Sequence, residues 1–125
     1  MSNKKRPKHL DLLRIKLPVP GIVSILHRVS GALLFLLIPA LLYAFQQSLA
    51  SPESYAGLKA FFGFWLVKLA LIGVLWAFLH HLLAGLRYLA IDLHYGVALQ
   101  PARASAKAVL ALSLILTAVA GVALW

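Results

Sequence analysis

Three stretches of this sequence are each long and apolar enough to cross a lipid bilayer, and they leave little of the chain for anything else. A hydrocarbon core about 30 Å thick requires about 20 predominantly apolar residues in a helix. The stretches occupy residues of about 24–49, 60–88 and 107–125, and the third has no charged residue after Lys107. The sequence therefore predicts an all-α membrane protein, with three transmembrane helices in a membrane domain of residues 24–125.

The composition excludes an ordinary soluble domain. Charged residues make up 12% of the 125 residues, about half of the roughly 25% that soluble domains use to cover their surface. The net charge of +9 does not indicate nucleic-acid binding, because the basic residues lie at the ends of the apolar stretches and not on one polar face. The absence of cysteine excludes thiolate metal sites and iron–sulfur ligation by this chain.

The distribution of lysine and arginine predicts the orientation, since the cytoplasmic flanks of membrane helices collect these residues. Residues 1–23 and the connection between the second and third stretches are basic, whereas the loop between the first two offers only Lys59, together with Glu53. We therefore expect a cytoplasmic N-terminus and an external C-terminus. Residues 1–23 are expected to form an amphipathic segment along the cytoplasmic surface. The first stretch starts too late and is too long for a cleaved signal peptide, so we expect it to be retained.

Five ionisable residues lie within or at the edge of the apolar stretches, where a buried charge costs free energy. They are His27, Arg28, Lys68, His80 and His81. Lys68 has a long side chain, which we expect to extend outward past Trp65 to the lipid head groups. The other four residues carry the functional interpretation.

His80 and His81 are neighbours on a helix and point about 100° apart, so only one is expected to bind a given partner. His81 has the small residues Ala77 and Gly85 one turn away on either side, which would let a flat macrocycle approach, whereas Trp76 crowds His80. A neutral imidazole is a common ligand of haem iron, and helix bundles hold cofactors between inward-facing side chains. His81 is therefore the candidate axial ligand, the alternative being a hydrogen-bonded packing histidine.

Ser24, His27 and Arg28 lie on one face of the first helix, because spacings of three and four residues align on a helix. They enter the same leaflet as His81, where a haem held by His81 would direct its two propionates. Holding carboxylates there requires a cation with several donors, and Arg28 with His27 meets that need. The alternative for Arg28 is a simple head-group anchor. Because no second histidine lies opposite His81 at its depth, a six-coordinate haem would take its other axial ligand from a partner chain.

Two motifs in the sequence resemble those of the cytochrome b556 membrane-anchor subunits of bacterial succinate dehydrogenases. The first is SILHRVSG at residues 24–31, preceded by RP at 6–7 and HLDL at 9–12. The second is the pattern of His81, Gly85, Arg87, Leu89 and Asp92 within residues 81–92. The spacing of the motifs, the three stretches and the chain length also agree, so the resemblance covers nearly the whole chain. Tyr88 departs from it, because many relatives have histidine at that position.

The resemblance implies a four-subunit respiratory complex of the bacterial inner membrane, with the C-terminus of this chain on the periplasmic side. A flavoprotein subunit would oxidise succinate, and an iron–sulfur subunit would pass the electrons to ubiquinone. This chain would be one of two small anchors, and His81 would be an axial ligand of a haem b whose other ligand is a histidine of the second anchor. Ser24 and Arg28 would line the ubiquinone site, and His27 with Arg28 would approach the haem propionates.

Two other functions stay open on the sequence alone. One is a small transporter or channel, in which His81, Arg28 and Lys68 would line a polar path. The other is a structural anchor without a cofactor, in which the histidines would be replaceable. Within the resemblance, the direction of electron flow also stays open, since a related complex would reduce fumarate.

Overall fold

A computed structural model describes residues 14–125, which form four α-helices: α1 (Val19–Ala50), α2 (Pro52–Gly63), α3 (Trp65–Asp92) and α4 (Leu99–Leu124). Helices α1, α3 and α4 have 32, 28 and 26 residues and are apolar enough to span a membrane. At 1.5 Å per residue, each reaches about 39 Å or more. The prediction of an all-α membrane protein with three long apolar helices is confirmed.

Helices α1 and α4 begin earlier than the apolar stretches that predicted them. Helix α1 begins at Val19 rather than near residue 24, and it has a proline, Pro20, in its first turn. Helix α4 begins at Leu99 rather than near residue 107, with Pro101 in its first turn. Proline is tolerated there because the first backbone N–H groups of a helix have no partner within it. Hydropathy detects the part of a helix that meets lipid, whereas both helices begin more than one turn before it.

The connection between the first two apolar stretches contains a helix that hydropathy did not predict. The hydroxyl of Ser51 caps α2 by accepting a hydrogen bond from the backbone N–H of Ser54 at 3.0 Å, and Pro52 follows as the first residue of the helix. Phe64 then adopts an extended backbone (φ −68°, ψ 133°) and separates α2 from α3. The predicted second span of residues 60–88 is therefore divided between the end of α2 and most of α3.

Small and polar residues form the contacts between the long helices. Their buried positions repeat every three or four residues along α3 (Ala77, His80, Ala84, Arg87) and along α4 (Ala106, Val109, Ser113, Thr117). Small residues let membrane helices approach closely, because burial of large apolar groups brings no advantage over lipid. Large apolar side chains point outward instead, up to 83% exposed for Val122. In this arrangement each of the three long helices contacts the other two.

The expected amphipathic segment of residues 1–23 falls mostly on residues 1–13, which lie outside the described part of the chain. Its remainder comprises a turn and a bend at Arg14 and Ile15, residues 16–18 without regular structure, and the first residues of α1.

Candidate functional site

His27 of α1 and His81 of α3 meet at the interface between these two helices. Their rings stack in parallel, with centroids 4.1 Å apart and planes inclined by 3°. The ring of Tyr88, two turns after His81, meets the His27 ring edge-on at a centroid distance of 5.1 Å. One contact thus joins the two motifs that lie more than 50 residues apart in the sequence.

The Nδ1 atom of His81 faces the backbone of α1. It lies 3.0 Å from the carbonyl oxygen of His27 and 3.2 Å from the hydroxyl of Ser30, which itself donates to the same carbonyl at 3.0 Å. A carbonyl oxygen can only accept a hydrogen bond, so the proton of the neutral His81 ring belongs on Nδ1. The Nε2 atom of His81 then keeps its lone pair, and it makes no hydrogen bond with residues 14–125.

Gly31 allows the His81 ring to come this close to α1. A Cβ atom at residue 31 would lie 2.7 Å from Cε1 of His81 and 3.3 Å from Nδ1, distances that real side chains do not tolerate without movement. At Gly85 the corresponding atom would lie 3.7 Å from Nε2 of His27, an ordinary contact. The small residue expected to admit a macrocycle beside His81 therefore faces His27, and the close approach depends on a glycine of the other helix.

His80 lies inside the bundle, on the same buried face of α3 as Ala77 and Ala84. Its side chain is 0% exposed, and its ring stacks on Trp76 with centroids 5.1 Å apart. The backbone of Val23 approaches the ring, but neither ring nitrogen makes a hydrogen bond with the described residues. The His80 ring is thus closed off from the surface of the bundle, whereas His81 is half-buried at the side of α3 that packs on α1.

Ser24 and Arg28 lie one turn apart near the beginning of α1. Ser24 is half-buried and Arg28 is exposed, and neither side chain makes a hydrogen bond or ion pair with residues 14–125. Their donors are therefore available to a group bound beside α1. The main cavities between the described helices are lined by other residues, so a ligand held by Ser24 and Arg28 would need further walls from another chain.

Arg87 has a structural role that the sequence interpretation missed, since it treated this arginine as a cytoplasmic charge and as a member of the second motif. Its side chain is 8% exposed and joins α3 to α4. The Nε atom donates to the hydroxyl of Ser105 at 2.9 Å, and Nη2 donates to the carbonyl of Ala102 at 3.1 Å. The guanidinium also lies 5.4 Å from the centre of the Tyr88 ring. The spacing of Arg87 from Ala84 and His80 places it on the buried face, a signal readable in the sequence.

Tyr88, the departure from the resemblance, has its ring between Arg87 and His27. Its hydroxyl is buried and makes no hydrogen bond within the described residues. Tyr88 therefore packs against His27 through its ring.

Comparison with known proteins gives consistent similarities over nearly the whole chain. Residues 2–120 match the family described as succinate dehydrogenase/fumarate reductase transmembrane subunit. A succinate dehydrogenase cytochrome b556 subunit of Coxiella burnetii is 41% identical over 125 residues, covering 98% of this chain and 99% of the relative. A subunit of the same description from Paracoccus denitrificans is 34% identical, over 92% of this chain and 87% of the relative. A third, from Rickettsia felis, is 30% identical over 90% of this chain and 88% of the relative.

Proposed function

Because the chain belongs to the succinate dehydrogenase/fumarate reductase transmembrane subunit family, we propose that it binds haem b with a second membrane-anchor subunit and helps to reduce ubiquinone. The iron–sulfur and flavoprotein subunits of the complex would supply electrons from succinate. The complex would lie in the bacterial inner membrane. The N-terminus would be cytoplasmic, since Lys16, Arg103 and Lys107 lie at one end of the bundle and Lys59 with Glu53 at the other.

The tautomer of His81 carries the haem proposal. An axial histidine usually donates its other ring N–H to a carbonyl, carboxylate or water, which fixes the ring and raises the basicity of the ligating nitrogen. The contact from Nδ1 of His81 to the His27 carbonyl at 3.0 Å meets this requirement and leaves Nε2 for iron. The residues of this chain thus fit a haem b, which would supply a one-electron carrier at the membrane. His27 and Arg28, at the same end of α1, would hold its propionates.

This chain offers a single imidazole as a haem ligand, which explains why a partner subunit would be needed for the second one. Within residues 14–125 no three histidine, cysteine, aspartate or glutamate side chains cluster as a metal site. His80 is enclosed, and the ring of His27 is stacked face to face on His81. The second axial ligand of a six-coordinate haem would therefore come from the other anchor subunit.

Ser24 and Arg28 have the chemistry that quinone reduction requires. Reduction of a quinone takes two electrons and two protons, and negative charge develops on its carbonyl oxygens. Arg28 can stabilise that charge without losing its own proton, and the hydroxyl of Ser24 can donate a hydrogen bond. Neither group is a proton source at neutral pH, so protons would come from a partner side chain or from ordered water on the cytoplasmic side.

The reduced-minus-oxidised absorption spectrum of the purified complex tests haem binding. We expect the spectrum of a b-type haem, because His81 offers an unprotonated nitrogen at a half-buried position. A colourless complex that still reduces quinone would contradict the proposal and favour a cofactor-free anchor. Ion or solute transport by this chain alone, with no haem spectrum, would indicate a transporter.

Replacement of Arg28 by alanine is expected to lower succinate:ubiquinone reductase activity about 100-fold, because one donor to a developing oxyanion is typically worth that much. Ser24→Ala should have a smaller effect in the same direction. Oxidation of succinate with an artificial acceptor should stay unchanged in both variants, which separates the quinone step from the flavin step. The matched control is Arg103→Ala, which removes an exposed cation near the beginning of α4. Normal quinone reduction by both α1 variants would show that the quinone site lies elsewhere.

A further inference from the structure

A groove runs between α3 and α4 in the half of the bundle nearest α2. We call it the α3–α4 groove; its volume is about 880 Å³, and its walls include Ile72, Leu114 and Val122. Two glycines open it: a Cβ atom at Gly73 or Gly121 would meet no other atom within 4 Å. The groove is therefore apolar and wide enough for a hydrocarbon chain to lie along it.

The α3–α4 groove opens into a smaller cavity of about 370 Å³ at the end of the bundle. This cavity, which we call the lysine mouth, is lined by Tyr55, Lys59, Phe62 and Lys68, among others. Lys68 and Trp125 line both the groove and the mouth, so the two spaces adjoin. Tyrosine and tryptophan are typical of the membrane–water boundary, where the head groups of lipids lie.

The lysines of the lysine mouth have no ion-pair partner among the described residues. Neither Lys59 nor Lys68 makes a hydrogen bond or ion pair with residues 14–125. Glu53 is the one acidic residue at this end of the bundle. Its carboxylate accepts hydrogen bonds from its own backbone N–H and from Ser51, which lower its pKa and keep it ionised at the cap of α2. Two ammonium groups therefore remain available for an anion.

We propose that this site binds an anionic phospholipid of the adjacent leaflet. The head-group phosphate would lie between Lys59 and Lys68, and one acyl chain would occupy the α3–α4 groove. The two cations account for selection of a negatively charged head group, and the apolar groove accounts for selection of a lipid over a free phosphate. The lysine mouth lies 13 residues, or about 20 Å of helix, before His81 on α3, and the lipid site does not depend on haem or quinone binding.

Reconstitution of the complex into nanodiscs of phosphatidylcholine, with increasing phosphatidylglycerol, tests the head-group contact. Native mass spectrometry of the released complex counts the bound phosphatidylglycerol. A lysine near a membrane surface contributes about five-fold to binding, so Lys59→Gln with Lys68→Gln should weaken phosphatidylglycerol binding about 25-fold. Lys107→Gln, the same change at the opposite end, should have no effect. Unchanged binding by the double variant, or equal retention of phosphatidylcholine by the native complex, would overturn the proposal.

Filling the groove tests the acyl-chain contact without changing any charge. Gly121→Leu or Gly73→Leu should also lower phosphatidylglycerol retention, because leucine would occupy the space of the acyl chain. Inorganic phosphate should not displace the lipid from the native complex. If the leucine variants kept the lipid and phosphate displaced it, the mouth would be an ion site only. If either leucine variant released another subunit, the groove would be a subunit interface, and the lipid assignment would be wrong.

Discussion

Replacement of His81 by alanine is expected to remove the b-type haem absorption from the purified complex. Loss of an outer-shell partner alone typically costs 10- to 100-fold in metal affinity, so loss of the ligating imidazole should exceed about 100-fold. Haem content per complex, measured from the reduced-minus-oxidised spectrum, gives the result.

The matched control for His81→Ala is His80→Phe. Phenylalanine has a planar ring, somewhat larger than that of histidine, that can keep the stacking contact with Trp76, and it removes two ring nitrogens that make no hydrogen bond with the described residues. Removing an unsatisfied buried polar group is neutral or stabilising, so this variant should fold and keep its haem. A normal spectrum in His81→Ala, or loss of the spectrum only in His80→Phe, would show that the wrong histidine of the pair has been assigned.

The hydropathy of the sequence predicted the membrane architecture, and the pattern of residues around His81 made it the candidate haem ligand. The three long helices followed from the length of the apolar stretches, because only a helix satisfies its backbone polar groups in lipid. The spacing of Ser24, His27 and Arg28 placed them on one face, and the structure brings His27 onto His81. The residue pattern is sufficient to predict which side chains lie on the same face of a helix, since helix geometry fixes their directions.

The sequence could not predict features that depend on side-chain contacts between helices. The spacing within α3 places His80 and Arg87 on one face, but it does not show that His80 is fully enclosed or that Arg87 reaches Ser105, because both depend on where α1 and α4 pack. Helix α2 was also missed, because its start depends on the cap at Ser51 and it is too short to span a membrane. A hydropathy profile does not detect a helix cap or a buried hydrogen bond.

The contact between His81 and the backbone carbonyl of His27 in α1 was likewise not predictable, although both residues lie in the two motifs identified in the sequence. The sequence shows that residue 31 is glycine but not which atom of the other helix approaches it. The structure gives that glycine a physical role, since a hydrogen atom in place of Cβ admits the imidazole ring.

Gly31→Ala is therefore expected to displace the His81 ring and to lower haem content strongly. The new methyl carbon would lie 2.7 Å from Cε1 of His81, so the ring or the helix must move. Either movement lengthens the 3.0 Å contact between Nδ1 of His81 and the carbonyl of His27, which fixes the tautomer. Overpacking of this kind typically costs about 1–3 kcal/mol, whereas alanine itself favours a helix over glycine by about 1 kcal/mol. A fall in haem content thus cannot arise from a weaker helix.

Two glycine variants on α3 provide the comparison that isolates this contact. Gly73→Ala places its methyl group in open space, and Gly85→Ala places it 3.7 Å from Nε2 of His27, an ordinary contact. Both should gain the helix propensity of alanine and keep the haem spectrum, measured per complex in the same way. If Gly31→Ala also kept a normal spectrum, the imidazole would not need the backbone contact with α1. The assignment of His81 as the axial ligand rests on the contact between its Nδ1 atom and the His27 carbonyl, which leaves Nε2 free. That argument would then fail.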